Sequence, residues 1–316
     1  MKNVKLIKLG IYIAALVLLI GFIALDCPQV FAYTYVVTAP SYNSAIQAKI
    51  DIAQPNDIIL IRAGSHYITK PLKIPTYKSK ITIVGETGAV LRKAPQPTPS
   101  AAIEIWGNEN KVDNIDIDGG NLPDAGIIIY GQRNYIVNSK IHNCGNSTAV
   151  GGGIVLHNTG YPVCCLNKIE GCKVYYNYQV GISQKGHSDG QIINNQIYEN
   201  GAEGITIDIR SHNNVITNNW VHLNNTGNRG VGGIGTDASN GNNIQYNTID
   251  YTRYKSGITF QNNVGGCDGV IVKNNRINNN GEWGILEVWT RFKNTNCLFQ
   301  NNQLLNNVKG TTKIVY

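Results

Sequence analysis

Helix-forming side chains are scarce in this chain. Methionine occurs once in 316 residues and charged residues make up only 15%, whereas glycine occurs 34 times and asparagine is abundant. Such a composition is expected to give strands and turns. Clusters of basic residues are missing too: the 27 Lys and Arg are scattered. That argues against a nucleic-acid partner and leaves the net charge of +7 as a source of solubility and of mild attraction for anionic partners. Cys-x-x-Cys, phosphate-loop and Ser-His-Asp signatures are absent, and no convincing metal spacing occurs. The length would fit two ordinary domains, but all-β chains of this size are often one body.

One long hydrophobic run exists, and it opens the chain. Lys2, Lys5 and Lys8 precede an apolar stretch from Leu9 to Leu25, followed by Pro28 and Ala32. Residues 1–32 read as a Sec-type signal peptide cut after Ala32. An uncleaved anchor is the alternative, because the run is near the short limit for a span. Removing Lys2, Lys5, Lys8 and Asp26 lowers the net charge from +7 to +5. Residues 33–316 are then expected to be secreted or held at the cell surface, as a monomer with no other membrane partner. Cys144, Cys164, Cys165, Cys172, Cys267 and Cys297 would meet an oxidising compartment, where disulfides of unreadable connectivity are expected.

What fills the rest is a repeat. Gly-Ile recurs at Gly126, Gly153, Gly181, Gly204, Gly233, Gly257 and Gly284, at intervals of 27, 28, 23, 29, 24 and 27, with Ala102-Ile103 as an earlier copy. A second signature lies within these intervals: "NSKI" at 138, "NNQI" at 194, "NNWV" at 218, "YNTI" at 246, "NNRI" at 274 and "NNQL" at 301. At about 3.3 Å per residue the period is too long for one strand and suits a coil of two or three short strands that stack in parallel. The first inward column is Ile103, Ile127, Ile154, Ile182, Ile205, Ile234, Ile258 and Ile285. The second runs Ile115, Ile141, Val174, Ile197, Val221, Ile249, Ile277 and Leu304. Asn195, Asn219, Asn247, Asn275 and Asn302 are expected to stack at a corner and bond through their amides.

This pattern, from about residue 33 onward, resembles the right-handed parallel β-helix proteins of the pectin-lyase-like group. The resemblance implies an all-β fold, a single-stranded right-handed parallel β-helix over residues 33–316. It also implies a short N-terminal capping helix near Ser44 to Ala53, within "YTYVVTAPSYNSAIQAKIDIAQPNDIILIRAGSHYI". It says little about reaction, since the group holds lyases, hydrolases, epimerases and binding proteins.

If Gly plus one and plus three point inward, plus four points outward. That column reads Trp106, Tyr130, His157, Lys185, Asp208, Asp237, Gln261 and Val288, and plus six adds His187 and Arg210. Rings, an imidazole, an amine and carboxylates on one face suit an extended, acidic, uronic-acid-containing polysaccharide, walled by segments such as "HLNNTGNRGVG" with Arg229. In lyases and epimerases of this fold the site lies along such a face. Elimination needs carboxylate neutralisation, a base and an acid. Arg210 and Arg229 suit the first role, His157 or Lys185 the second, and Tyr130 the third. Asp208 and Asp237 would hold Lys185 charged or bind Ca²⁺. Trp106, His187 and Gln261 would bind substrate.

Asp208 and Asp237 also suit a glycosidase pair. However, the Asp-Asp doublet and Gly-His-Gly segment of the polygalacturonase-like branch and the Asp-Pro-His-Asp motif of alginate epimerases are all missing. A non-catalytic polysaccharide-binding scaffold is the third expectation.

Overall fold

A computed structural model describes residues 32–96, 99–147, 151–158, 164–261, 263–288 and 292–315. The expected signal peptide, apart from Ala32, lies outside them. Tyr33 to Tyr316 forms one compact unit. Short runs rich in Ile and Val alternate with polar residues, and β-branched side chains suit such half-buried pleated surfaces. The result is a parallel β-solenoid of strands β1 (Thr34–Val37) to β32 (Gly310–Val315). The strands fall into three sheets of 11, 11 and 10. A turn takes one strand from each: β11 (Ala125–Ile129) lies in the third sheet, β12 (Tyr135–Val137) in the first and β13 (Lys140–Cys144) in the second. Among the described residues the one helix is α1, Asn43–Ile52, which buries Ile46 and Ile50 in the core cluster.

The isoleucine column forms as expected. Ile103 pairs with Ile127, Ile127 with Ile154, and so on to Ile285, and all eight are at most 1% exposed. The second column needs one correction. Ile117, not Ile115, pairs with Ile141. Ile115 occupies the corner position that Ser139, Cys172 and then asparagines fill in later coils, where its N–H donates to Ser139 Oγ at 3.1 Å. The two isoleucines are two residues apart and face the same way, so alternation alone could not separate them.

The corner asparagines bond as a ladder. Asn195 Nδ2 donates to Asn219 Oδ1 at 3.0 Å, Asn219 to Asn247 at 2.9 Å, Asn247 to Asn275 at 3.1 Å and Asn275 to Asn302 at 3.0 Å. Parallel ladders that the repeat pattern did not reveal join Asn177, Asn200 and Asn224, and Asn280 with Asn307. Asn194, Asn218, Asn274 and Asn301, just ahead of this corner column, adopt positive φ between 53° and 58°, the left-handed region that asparagine tolerates better than most residues. The six cysteines beyond Cys27 are free thiols, contrary to the disulfides expected. Cys144, Cys164, Cys172 and Cys267 are buried and act as small apolar side chains.

Candidate functional site: the outward face of the third sheet

The candidate residues sit on strands of the third sheet or just past their ends: β8 (Ala101–Ile105), β11, β14 (Gly152–His157), β17 (Ile182–Lys185), β20 (Ile205–Asp208), β23 (Gly232–Asp237) and β26 (Ser256–Gln261). Register brings them side by side. His157 pairs with Lys185, Lys185 with Asp208, and Asp237 with Gln261. Trp106 and Tyr130 follow their strands and stack with centroids 3.8 Å apart, and Tyr130 meets His157 edge-on at 6.0 Å. Stacking leaves both aromatics half-buried, less open than a bare platform.

Around Tyr130 and His157 the face deepens into a cleft of about 200 Å³, lined also by Asp124, Ile128, Gly151 and Val155. Its groups titrate away from their ordinary ranges. Burial, then Lys185, lowers His157, so the imidazole is neutral at pH 7. Burial, then Glu104 and Asp124, raises Tyr130, which therefore keeps its proton. Burial and Glu104 raise Asp124. His157 Nδ1 is buried and has no hydrogen-bond partner, so that nitrogen is not committed to the wall.

Asp124 and Glu104 were not picked out in the sequence. Glu104 stands two residues after Ala102, in the other outward column of the same face, and a reading limited to plus four passes over it. Asp124 lies in the variable segment before Gly126, where no column exists to align.

Farther along, burial raises Asp208 against the opposing effect of Lys185, and burial and Asp208 raise Asp237. Asp208 thus has Lys185 as its cationic neighbour, not Arg210. Arg210 lies beyond the end of β20, exposed, with φ of 63°, and among the described residues it forms no ion pair. Arg229 is exposed and held over the Tyr178 ring at 3.9 Å, a cation–π contact that fixes the guanidinium beside the solenoid. Gln261 Oε1 accepts from Asn263 Nδ2 at 3.3 Å.

His187 corrects the sequence reading. It is fully buried, with Nδ1 3.1 Å from both Gln184 Nε2 and Asn214 Oδ1, and it cannot bind substrate. Gly186, at φ +69°, turns the chain and reverses the strand's alternation.

A larger depression of about 900 Å³ lies on the first sheet, between Asn56 and Gln191. Its lysines are engaged nearby: Lys111 with Asp113 at 2.7 Å, Lys168 with Glu170 at 2.7 Å and Lys80 with Glu109 at 3.7 Å. With these lysines paired, size alone does not make it the reactive site.

Parallel coils, an outward ladder and corner asparagines define a class, and the comparisons agree with it. Residues 101–254 match the family described as "Right handed beta helix region". The chain has the fold of the right-handed parallel β-helix proteins. Among solved structures it is similar to pectate lyase Pel9A, with 18% identity, TM-score 0.64 and coverage of 87% of this chain and 79% of that one. The Dettilon tailspike protein (gp208) aligns at 18% identity and TM-score 0.62 over 81% of this chain, which spans only 49% of the tailspike. An alginate lyase from Paenibacillus sp. str. FPU-7 aligns at 12% identity and TM-score 0.55 over 90% and 99% of the two chains. At such identities these likenesses concern fold. No curated protein matches the chain significantly.

Proposed function

We propose that this chain is an exported polysaccharide lyase that binds an extended, uronic-acid-containing polymer along the third sheet. The carrying observation is the cleft that joins Tyr130 and His157, with the imidazole shifted toward neutrality and the phenol toward protonation. A neutral base and a protonated acid side by side are what elimination at neutral pH requires. Neutral His157 takes the C5 proton, its electron pair becomes the C4=C5 double bond, and the C4–O bond breaks. Tyr130 gives its proton to the departing oxygen.

Lys185, one strand from His157, neutralises the uronate carboxylate, with Arg210 and Arg229 contributing from the rim. Trp106 and Gln261 support sugar units to either side. The lyases among the structural neighbours and the leader-like stretch at Lys2–Ala32 support a polysaccharide ligand outside the cytoplasm. The donor set fits Ca²⁺ poorly. Asp208 and Asp237 are two carboxylates, Asp237 Oδ1 already accepts from Asn263 N–H at 3.2 Å, and no cluster of three or more His, Cys, Asp or Glu able to hold a metal occurs among the described residues.

The second reading is hydrolysis by Asp208 and Asp237. It is favoured by the raised pKa of both groups and by their electrostatic coupling. One experiment separates the two. The chain is incubated with polygalacturonate, alginate and neutral glycans, with and without chelator, while the ultraviolet absorbance of an unsaturated uronide and the reducing ends are followed. Both signals rising together, and falling about 10²- to 10⁴-fold in His157→Ala and Tyr130→Phe, is the expected result. Reducing ends rising alone, and lost in Asp208→Asn, assigns hydrolysis. Silence in both channels leaves a binding protein.

A further inference from the structure

The second sheet carries a ladder that the proposed reaction does not use. On β13, β16 (Lys173–Tyr175), β19 (Gln196–Tyr198) and β22 (Trp220–His222), the outward residues His142, Tyr175, Tyr198 and His222 fall in register. Their rings stack at 4.7, 4.9 and 5.0 Å, the Tyr pair within 1° of parallel. Trp220 stacks on His222 at 3.8 Å yet keeps 44% of its surface exposed. Tyr176, 54% exposed, stands edge-on to both Tyr175 and Tyr198. It does so at a left-handed corner, φ 53°, that other coils fill with Asn143, Glu199, Leu223, Tyr251, Asn279 or Asn306.

Beside the rings runs a second outward column, Lys140, Lys173, Gln196 and Trp220. The carboxylates of this face are already engaged, Glu199 by the Tyr176 hydroxyl, which leaves only the ring of Tyr176 open. Asp116 binds His142 at 2.9 Å and Lys140 at 3.5 Å, Asp118 binds Arg92 at 2.9 Å, and Asp250 accepts from Trp220 Nε1 at 3.2 Å. Lys173 has no ion pair among the described residues, and burial among its neighbours keeps the Tyr175 hydroxyl protonated, its pKa pushed up to about 12. The groups left over are therefore donors and ring surface, the complement of a chain of hydroxyls and carboxylates.

We propose that this face of the second sheet is a non-catalytic binding platform for an extended acidic polysaccharide, held by Lys173, Trp220 and Tyr176. The platform requires the ligand class named above but not the reaction, since it lies on a different sheet. It would keep a long polymer on the solenoid while the third sheet acts.

The test uses the full chain carrying Trp106→Ala and Lys185→Ala, so that binding at the third sheet is disabled, with titration calorimetry against polygalacturonate, alginate and neutral pullulan. The expected result is binding of an acidic polymer but not of pullulan, weakened about tenfold by Trp220→Ala or Lys173→Ala. Tyr176→Asn, which suits the corner and preserves folding, should weaken it as well. Absence of binding to either acidic polymer, or binding indifferent to Trp220 and Lys173, overturns the platform. Concentration-dependent self-association abolished by Trp220→Ala would make the face a contact between two copies and also overturn it. The product assay on the unmodified chain reports separately on the reaction, so failure of one reading does not imply failure of the other.

Discussion

At the scale of single residues, the electrostatics of the third sheet set a pH dependence with a definite sign. Lys185 holds a positive charge beside His157 and so lowers its pKa beyond what burial does. If neutral His157 is the base, activity falls as pH drops through that lowered value. Replacing Lys185 with Met removes the charge, lets the imidazole titrate higher, and moves the acid limb of the kcat/KM profile toward higher pH. An unmoved limb would separate His157 from the rate.

His187 affects stability instead. Burial lowers its pKa from 6.5 to about 4, so between those values the unfolded chain binds the proton that the folded chain refuses. Its contribution is complete above about pH 6.5 and is lost as pH falls toward 4, on the order of 3 kcal/mol in all. Urea unfolding of the native chain and of His187→Gln at pH 7 and pH 4.5 checks this; the substitution should flatten the acid-side loss. Most of the plus-four ladder was readable from alternation, because alternation holds as far as the strand does. His187 was misplaced where it stops: Gly186 at φ +69° turns the chain between sheets, and no period carries across such a corner.

At the scale of elements, each corner asparagine satisfies several buried groups at once. Asn219 Oδ1 accepts from the N–H and Nδ2 of Asn195, and its own Nδ2 donates to Ile192 O at 2.8 Å and to Asn247 Oδ1 at 2.9 Å. Asn219→Ala leaves these partners buried without replacements, each costing about 1–3 kcal/mol, so a loss of several kcal/mol is expected from chemical denaturation. Asn302→Ala, at a partly exposed coil with fewer dependants, should cost clearly less. Equal losses would show that the ladder is not cooperative. This device was visible in "NNQI" and its copies because the pair recurs in register with an aliphatic residue. The companion ladder through Asn177, Asn200 and Asn224 was not, because no repeated dipeptide marks it. The ring ladder of the second sheet likewise leaves only isolated Tyr and His in the sequence, and only strand register assembles them.

At the scale of the whole molecule, a solenoid distributes stability through nearest neighbours, so its coils need not open together. The two edges of the stack differ in burial. Near the first, Ile46 and Ile50 of α1 lie fully buried against the early coils. At the other, β30 (Leu298–Gln300), β31 (Gln303–Leu305) and β32 are the edge strands of their sheets. Leu298, Leu305 and Val315 there are 46%, 49% and 42% exposed. An edge strand that buries little on one side gains less from pairing than a central one. Opening is therefore expected to begin at β30–β32 and to travel toward β23, reaching Lys185 and His157 only later. Hydrogen exchange resolved by peptide should show protection lowest over residues 298–315, intermediate near Asp237 and highest around Ile127 to Ile205. Substituting Ile285 by Asp should erase protection in the last coils while leaving that of β11 to β17, and hence the cleft at Tyr130, nearly unchanged. Collapse of protection along the entire stack in that variant would instead mean that the coils fold as a single cooperative unit, and distance from the edge would then give the catalytic face no shelter.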